Sequence, residues 1–411
     1  MQNKKEIGSV EFIALVACIM LLTALAIDIM LPAFGELRTY FGLGADSTMT
    51  ANIVTFFFLG QVGQIVFGPL ADRYGRIPIL RTGFVLYILG CLGAALLPTL
   101  GLILVARFVA GLGAAALSVG ALTSVRDRFA GDKMARTMSF IMTIFLFVPI
   151  IAPLIGSAIL TITSWQVVFL TPAVVGILVC VWSFRLHESL PAERRLSLDL
   201  PTIARSARQV AGNRVFVVYT AITTILFSPF SVYVSSSERM ISEIYGRPEL
   251  FAWIFSGVGI TMAIFTFTNT RLIGRFGSRR TLRGFLTAYL IWAGLLLGLT
   301  LFGRGTPNIL VFFAVVALLQ GIYVAVDPNS SALALERLGG NAGMAAAIYG
   351  TSFFVIGSML GSIINTFLVD SMLPLAVGYV IAGLISLALA YSGHTSVQPT
   401  VASTVRSEIG D

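Results

Sequence analysis

The sequence predicts an all-α polytopic membrane protein, with twelve transmembrane helices in two pseudo-symmetric six-helix bundles. Three observations predict it. The chain has 411 residues, 57% hydrophobic and only 11% charged, with a mean hydropathy of +0.92; a soluble domain is nearer half apolar and a quarter charged. The apolar residues fall in near-continuous runs of ~20, the length that crosses ~30 Å of hydrocarbon as helix, whereas barrel strands would be shorter and alternating. A charged stretch between two such runs, Gly68-Pro-Leu-Ala-Asp-Arg-Tyr-Gly-Arg76, has a weaker echo half a chain later at Gly274-Arg-Phe-Gly-Ser-Arg-Arg-Thr-Leu-Arg283. The two align without gaps, Arg73 on Arg275, Gly75 on Gly277 and Arg81 on Arg283.

In order, the runs place spans at 12–34, 49–70, 78–97, 101–124, 137–160, 166–185, 214–235, 250–270, 281–302, 308–332, 341–368 and 374–392. Turn signals such as Leu97-Pro98-Thr99 separate them. Lys4 and Lys5 before the first run superficially resemble a signal peptide. The length of that run, the interruption at Asp28 and the lack of a small-residue cleavage site predict an uncleaved span. One long polar connection, 186–213, divides the chain into an N-terminal bundle (1–185), a cytoplasmic linker (186–213), a C-terminal bundle (214–392) and a polar, disordered cytoplasmic tail (393–411). With both termini cytoplasmic, the outside loops carry only Arg38, Arg239, Arg247 and Arg304 among 27 basic residues.

The net charge of +8 belongs to short inside loops, so it reads as positive-inside bias and not as a nucleic-acid surface. Cys18, Cys91 and Cys180 lie inside apolar runs, and His187 is far from His394; no disulfide and no metal site are expected. There is no Walker loop and no nucleophile–base constellation, so neither ATP-driven transport nor enzymatic activity is indicated.

The stretch from Gly68 to Arg76 resembles the signature loop of the major facilitator superfamily, and the resemblance covers the whole chain. Ala26-Ile-Asp28-Ile-Met-Leu-Pro32, Val125-Arg126-Asp127, Val148-Pro149-Ile-Ile-Ala-Pro153-Leu-Ile-Gly156, Trp165-Gln166 and His187-Glu188-Ser-Leu-Pro191 are similar to the Bcr/CflA group of drug:proton antiporters, which includes bicyclomycin and chloramphenicol/florfenicol exporters. Ile77 stands where the loop usually has a basic residue, and the span-four motif lacks its usual Gln after Arg107. The resemblance implies proton-coupled drug efflux across the bacterial inner membrane by alternating access, with small-molecule drugs, protons and the lipid bilayer as partners and no cofactor. A monomer is expected. The alternatives are an exporter of an endogenous metabolite and, further off, a non-transporting membrane sensor of the same fold.

In that light, Gly68, Asp72, Arg73, Gly75, Arg76, Arg126 and Asp127 are expected to form the conformational latch that joins the two halves in the family. Gly68 permits close helix approach, Asp72 can sit near a helix N-terminus, and Arg76 is free to pair with Asp127; the bland reading is a solvated anchor loop. Asp28 is a carboxyl within a span, costly to keep charged and able to exchange a proton, or else a structural group before the Pro32 kink. Arg107 stays charged and can hold Asp28, or else snorkels to the outer interface. Asp327, before Pro328 and Asn329, is either a second acid at a broken helix or a group near the cytoplasmic end. Pro149, Pro153 and Gly156 bend span five; the resemblance implies the antiporter motif there. For substrate, Asp28, Arg107, Gln320, Tyr323, Tyr349 and Phe353 are the candidates, the last four from a wider aromatic and polar set including Phe58, Phe147, Trp253 and Phe354.

Overall fold

The computed structural model describes residues 7–44, 46–191, 193, 195, 199–336, 338 and 341–392. Lys4, Lys5 and the tail 393–411 lie outside them. All 12 apolar runs are helices long enough to cross a membrane: Ser9–Tyr40, Met49–Tyr74, Arg76–Leu96, Leu100–Arg128, Arg136–Leu160, Trp165–Ser183, Arg214–Ile244, Pro248–Phe276, Ser278–Phe302, Ile309–Leu335, Ala342–Thr366 and Leu373–Ser392. They are called spans one to twelve. The chain is a multi-pass membrane protein whose two described ends emerge on one face, the terminal face; the opposite one is the far face.

The observed helices outrun the apolar runs wherever polar residues are satisfied in place. Span seven continues through Ser236, Ser237, Glu238 and Arg239, all buried, so Arg239 is not in a loop. Arg38 likewise is helical and 3% exposed. The connection 186–213 contains a helix, Leu200–Ala211, which its charged composition hides; Val210 anchors it against Phe216, Ala345 and Tyr349. Span one is α-helical only to Asp28, then passes through a 3-10 turn at Leu31–Ala33, because Pro32 has no N–H to continue the ladder. Span ten runs through Pro328 to Leu335 without a break in its helical path.

The two halves repeat their packing. Span three lies on four and six, two on four, and one on four, five and six; in the second half nine lies on ten and twelve, eight on ten, and seven on ten, eleven and twelve. Gly75 and Gly277 occupy the same place in this repeat, each a single residue between two spans, with φ of 104° and 75° that only glycine adopts without strain. Close approach is set elsewhere. A Cβ at Gly111 would run into the Phe57 carbonyl and one at Gly113 into the Tyr87 backbone, so span four is pressed against spans two and three. Gly68 does not share this role, since a Cβ there would have nothing within 4 Å; it borders open space instead of a helix contact.

Between the halves, span five meets eight and span two meets seven and eleven. The Ser256 hydroxyl donates to the Ile150 carbonyl at 2.6 Å, between Pro149 and Pro153. Gly111→Leu should wedge spans two and four apart at about 1–3 kcal/mol. A thermal-melting series on purified protein should show a lower Tm than for Gly68→Leu, which fills open space.

Candidate functional site

The charged cluster on the terminal face ties together three spans and the linker. Arg76 donates from Nη1 to Asp72 Oδ1 at 2.6 Å and from Nε to Asp127 Oδ2 at 2.9 Å, and the Ser189 hydroxyl donates to the same Asp127 oxygen at 2.9 Å. Asp72 lies in the last turn of its helical segment, Gly63–Tyr74. The anion at the N-terminus of span three is Glu188, which accepts the backbone N–H groups of Arg76 at 2.8 Å and Ile77 at 3.1 Å. Gly75 has to be glycine twice over, since a Cβ there would collide with the Glu188 carboxylate. All these ties stay within the N-terminal half and the start of the linker. Arg73 instead lies over the Tyr74 ring, 5.4 Å away. A cleft of about 450 Å³ separates this cluster from the second half, with Asp72, Arg126 and Asp127 on one wall and Asn341, Gly343 and Met344 on the other.

The halves are joined by ions on the far face. Arg38 of span one donates to Glu238 of span seven at 2.8 and 3.1 Å, two parallel bonds, and to Glu243 at 2.8 Å. Arg38 and Glu238 are both buried. Beside them Arg239 donates to the carbonyls of Leu368 and Val369, fixing the turn before span twelve. Sequence reasoning missed this clamp, whose members are far apart in the chain and were placed in outside loops or left unassigned.

Between the clamp and the cleft lies an aromatic cluster. Phe58 of span two meets Phe227 of span seven at 5.2 Å and Phe354 of span eleven at 5.5 Å; Phe353 meets Phe227 at 5.4 Å, and Tyr323 meets Phe230 at 4.6 Å. Tyr323 also meets Phe227, at 6.1 Å, and Tyr349 meets Phe353 at 5.8 Å, so Phe227 and Phe230 of span seven join these three candidates in one cluster. Phe147 and Trp253 are 54% and 70% exposed and face outward, away from the cluster. The Tyr349 hydroxyl donates to Asp327 Oδ1 at 2.8 Å and lies 2.8 Å from the Thr223 hydroxyl. Asp327 is thus within the helix, about 12 Å from the end of span ten at 1.5 Å per residue. Gln320 is fully buried, and neither its amide oxygen nor its nitrogen has a hydrogen-bond partner among the described residues.

Asp28 and Arg107 do not pair. Arg107 is wholly buried, which removes the snorkelling reading. It donates to the Ala26 carbonyl at 2.8 Å and the Ile53 carbonyl at 3.4 Å and sits 4.7 Å over the Phe57 ring. Those partners all lie inside the first half. Asp28 is 6% exposed, has no ionic or hydrogen-bond partner among the described residues, and is within electrostatic range of Tyr233 across the interface. Gly156 stands beside this break in span one, where a Cβ would strike the Ile29 carbonyl. Pro149 and Ile150 instead lie against Gly259 of span eight, in the other half.

The family model described as Major Facilitator Superfamily matches residues 16–240 and 230–404. A bicyclomycin resistance protein homolog from Haemophilus influenzae is 28% identical over 367 residues, 89% of this chain and 91% of that protein. A chloramphenicol resistance protein from Pseudomonas aeruginosa is 27% identical over 359 residues, 86% and 82%. Among solved structures, a D-xylose–proton symporter covers 95% of this chain and 98% of its own at a TM-score of 0.72 and 16% identity, a likeness of fold alone.

Breaking the far-face clamp by Arg38→Ala leaves Glu238 buried without its cation, at about 3–5 kcal/mol. With the native cysteines replaced by alanine, a Thr50→Cys probe should then react faster with a membrane-impermeant maleimide from the far face. The swap Arg38→Glu with Glu238→Arg should restore protection.

Proposed function

The chain belongs to the major facilitator superfamily and is a membrane transporter, not an enzyme; from that premise we propose that it exports small amphipathic antimicrobial drugs, phenicol or bicyclomycin-like, across the bacterial inner membrane in exchange for protons. The observation that carries this reading is the pairing of an aromatic cluster spanning both halves with a partnerless carboxyl, Asp28, at the same interface. Flat aromatic faces accept ring-bearing or amphipathic solutes with little demand on their polar groups. A lone carboxyl in a low-dielectric interior exchanges a proton more readily than one locked to a guanidinium. The names of the relatives from Haemophilus influenzae and Pseudomonas aeruginosa support the drug class.

In this reading Asp28 carries the proton, and Arg107 holds span one through the Ala26 carbonyl, setting where Asp28 stands without neutralising it. Gln320, Tyr323, Tyr349 and Phe353 meet the drug, and Asp327 is a second acid at its edge. The gradient of protons supplies the energy, with no cofactor. The chain ends lie on the cytoplasmic side, supported by the placement of Lys and Arg. The present arrangement, clamped on the far face, is then closed to the outside. In the outward-open form the cleft closes and the Asp72–Arg76–Asp127 cluster meets span eleven, which is the proposed latch. Asp72→Asn should slow turnover in vesicles while leaving drug affinity within about twofold; loss of binding would instead make the loop part of the drug site.

The decisive measurement is a susceptibility panel in an efflux-deficient bacterium, followed by vesicle transport. Phenicols and bicyclomycin are tested first. Wild type should raise tolerance to at least one of them, and Asp28→Asn should cut proton-driven export by at least about tenfold. Equal export by Asp28→Asn and wild type would sink the proton role of Asp28.

A further inference from the structure

Span two is not one continuous helix. It is α-helical over Asn52–Gly60 and again over Gly63–Tyr74. Between them the backbone bonds close one residue early. The N–H groups of Gln61, Val62, Gln64 and Ile65 donate to the carbonyls of Phe58, Leu59, Gln61 and Val62 at 3.0–3.2 Å, a 3-10 step inside a span. Span eleven is interrupted too. It is α-helical over Ala342–Thr351 and Gly357–Thr366, with a π-turn at Ser352–Ile356 between them. Mid-helix 3-10 steps and π-turns are uncommon, and they gather at hinges and functional sites.

The two interruptions face each other. Gly63–Tyr74 packs on Ala342–Thr351, while Asn52–Gly60 packs on Ser352–Ile356 and Gly357–Thr366, so both breaks lie at one level of the interface between the halves. Amides fill that level. Gln61 Nε2 donates to the Gly111 carbonyl of span four at 3.2 Å, and Gln64 Nε2 donates to Gln61 Oε1 at 3.1 Å. From the other half, the Thr351 hydroxyl donates to the Gln61 carbonyl at 3.5 Å. A Cβ at Gly350 would collide with Gln64 Oε1, so the Gln64 amide lies directly on the backbone of span eleven. On the far side of this layer stand the stacked rings of Phe58 and Phe354. On the terminal side is the cleft, with Gln64 in its lining. Phe58, Phe227 and Tyr323 are all buried, so the aromatic cluster is shut off from the cleft.

We propose that the layer formed by Gln61, Gln64, Gly350 and Thr351 is an inner gate, closed in this arrangement, between the terminal-face cleft and the aromatic cluster. The paired interruptions are its hinge, since a helix bends most easily where its hydrogen-bond ladder is already broken. Each flank has its own anchor. Gly63 lies against Ala115 of span four, and Tyr349 is tied to Asp327 of span ten at 2.8 Å. The parting line therefore runs between Gln64 and Gly350. Among the described residues, the hydrogen bond printed across it is the one from Thr351, at the outer limit of length for such bonds. The far face is held by three charge-assisted bonds of 2.8–3.1 Å, so the inner gate is the weaker of the two closures. It opens by a bend of the terminal-side segments that leaves the aromatic cluster in place. That an exported solute passes this gate rests on the transport reading above; the seal itself does not.

The test reads the seal directly and needs no drug. Full-length protein with its native cysteines replaced by alanine is purified in lipid nanodiscs. It carries one cysteine probe: Phe230→Cys in the cluster, Met344→Cys in the cleft or Thr50→Cys on the far face. A water-soluble maleimide should label Met344→Cys fast and the other two slowly. Gln64→Ala removes the amide, and the methyl of Gly350→Ala displaces it. Either change should speed labelling of Phe230→Cys about fivefold, the weight of one lost hydrogen bond, and leave Thr50→Cys slow. Should one variant fail to fold, seen as a collapsed melting transition, the other decides. Labelling of Phe230→Cys as fast as Met344→Cys with the layer intact would overturn the gate. So would a Phe230→Cys rate that the folded variants leave unchanged, or an equal acceleration at Thr50→Cys, which would place the opening on the far face. A failure of drug export by wild type would sink the transport reading and leave these rates as they are.

Discussion

Hydrocarbon offers a polar side chain nothing to bond, and that constraint decides how the helices of this chain are turned. A guanidinium cannot escape by losing its charge. Each deeply buried arginine has therefore drawn acceptors to itself. Arg107 binds carbonyls of spans one and two, Arg239 those of Leu368 and Val369, and Arg38 two carboxylates of span seven. A carboxyl has a second way out, because it can be neutral. Asp28 is buried as deeply as Arg38 yet has recruited no cation, although Arg107 bonds a carbonyl two residues away. The arginines act as fixed joints, and the unpaired acid is left as the group whose state can change.

The same logic separates the two halves. They share a plan down to the single glycine between spans two and three and between eight and nine. They differ in what that plan holds. The first half closes its polar groups on itself, with Arg76 between Asp72 and Asp127, Glu188 on the open end of span three, and Tyr87 on Leu22. In the second, Gly274 stands where Asp72 would be, and Arg279 reaches Glu336 across an exposed 3.3 Å pair that contributes little. Most of the buried polar side-chain atoms without a hydrogen bond among the described residues are in this half.

Much of this was legible in the sequence, for identifiable reasons. Apolar run length located every span because backbone satisfaction in hydrocarbon demands whole helices. The position of Asp127 at the end of span four forecast its contact with Arg76, whereas Asp72, expected near a helix N-terminus, stands in a last turn and pairs with Arg76. What failed was anything fixed by side-chain direction around a helix. Asp28 and Arg107 sit at matching depths but turn toward different neighbours, and Gly68 looks like a contact glycine until its face is known. Glu188 and the Arg38–Glu238 clamp join residues distant in the chain, where periodicity carries no information. Span seven was cut short because a serine-rich, charged end reads as a loop until its partners are seen.

The clamp also bounds what transport must accomplish. Opening the far face means separating Arg38 from Glu238, and a buried pair of this geometry resists by several kcal/mol. A solute that binds both arrangements equally shifts nothing, however tightly it is held. The compensation has to come from contacts made only in the other arrangement, and the cleft on the terminal face is where they are absent now. Asp72 and Asp127 already face the first turn of span eleven across it. Closing that gap brings carboxylates to a helix N-terminus, whose orphan N–H groups favour them, at roughly 0.3–2 kcal/mol each. Those gains fall short of the cost of the clamp unless a third term joins them. In the proposed mechanism, a change of charge at Asp28 supplies that term.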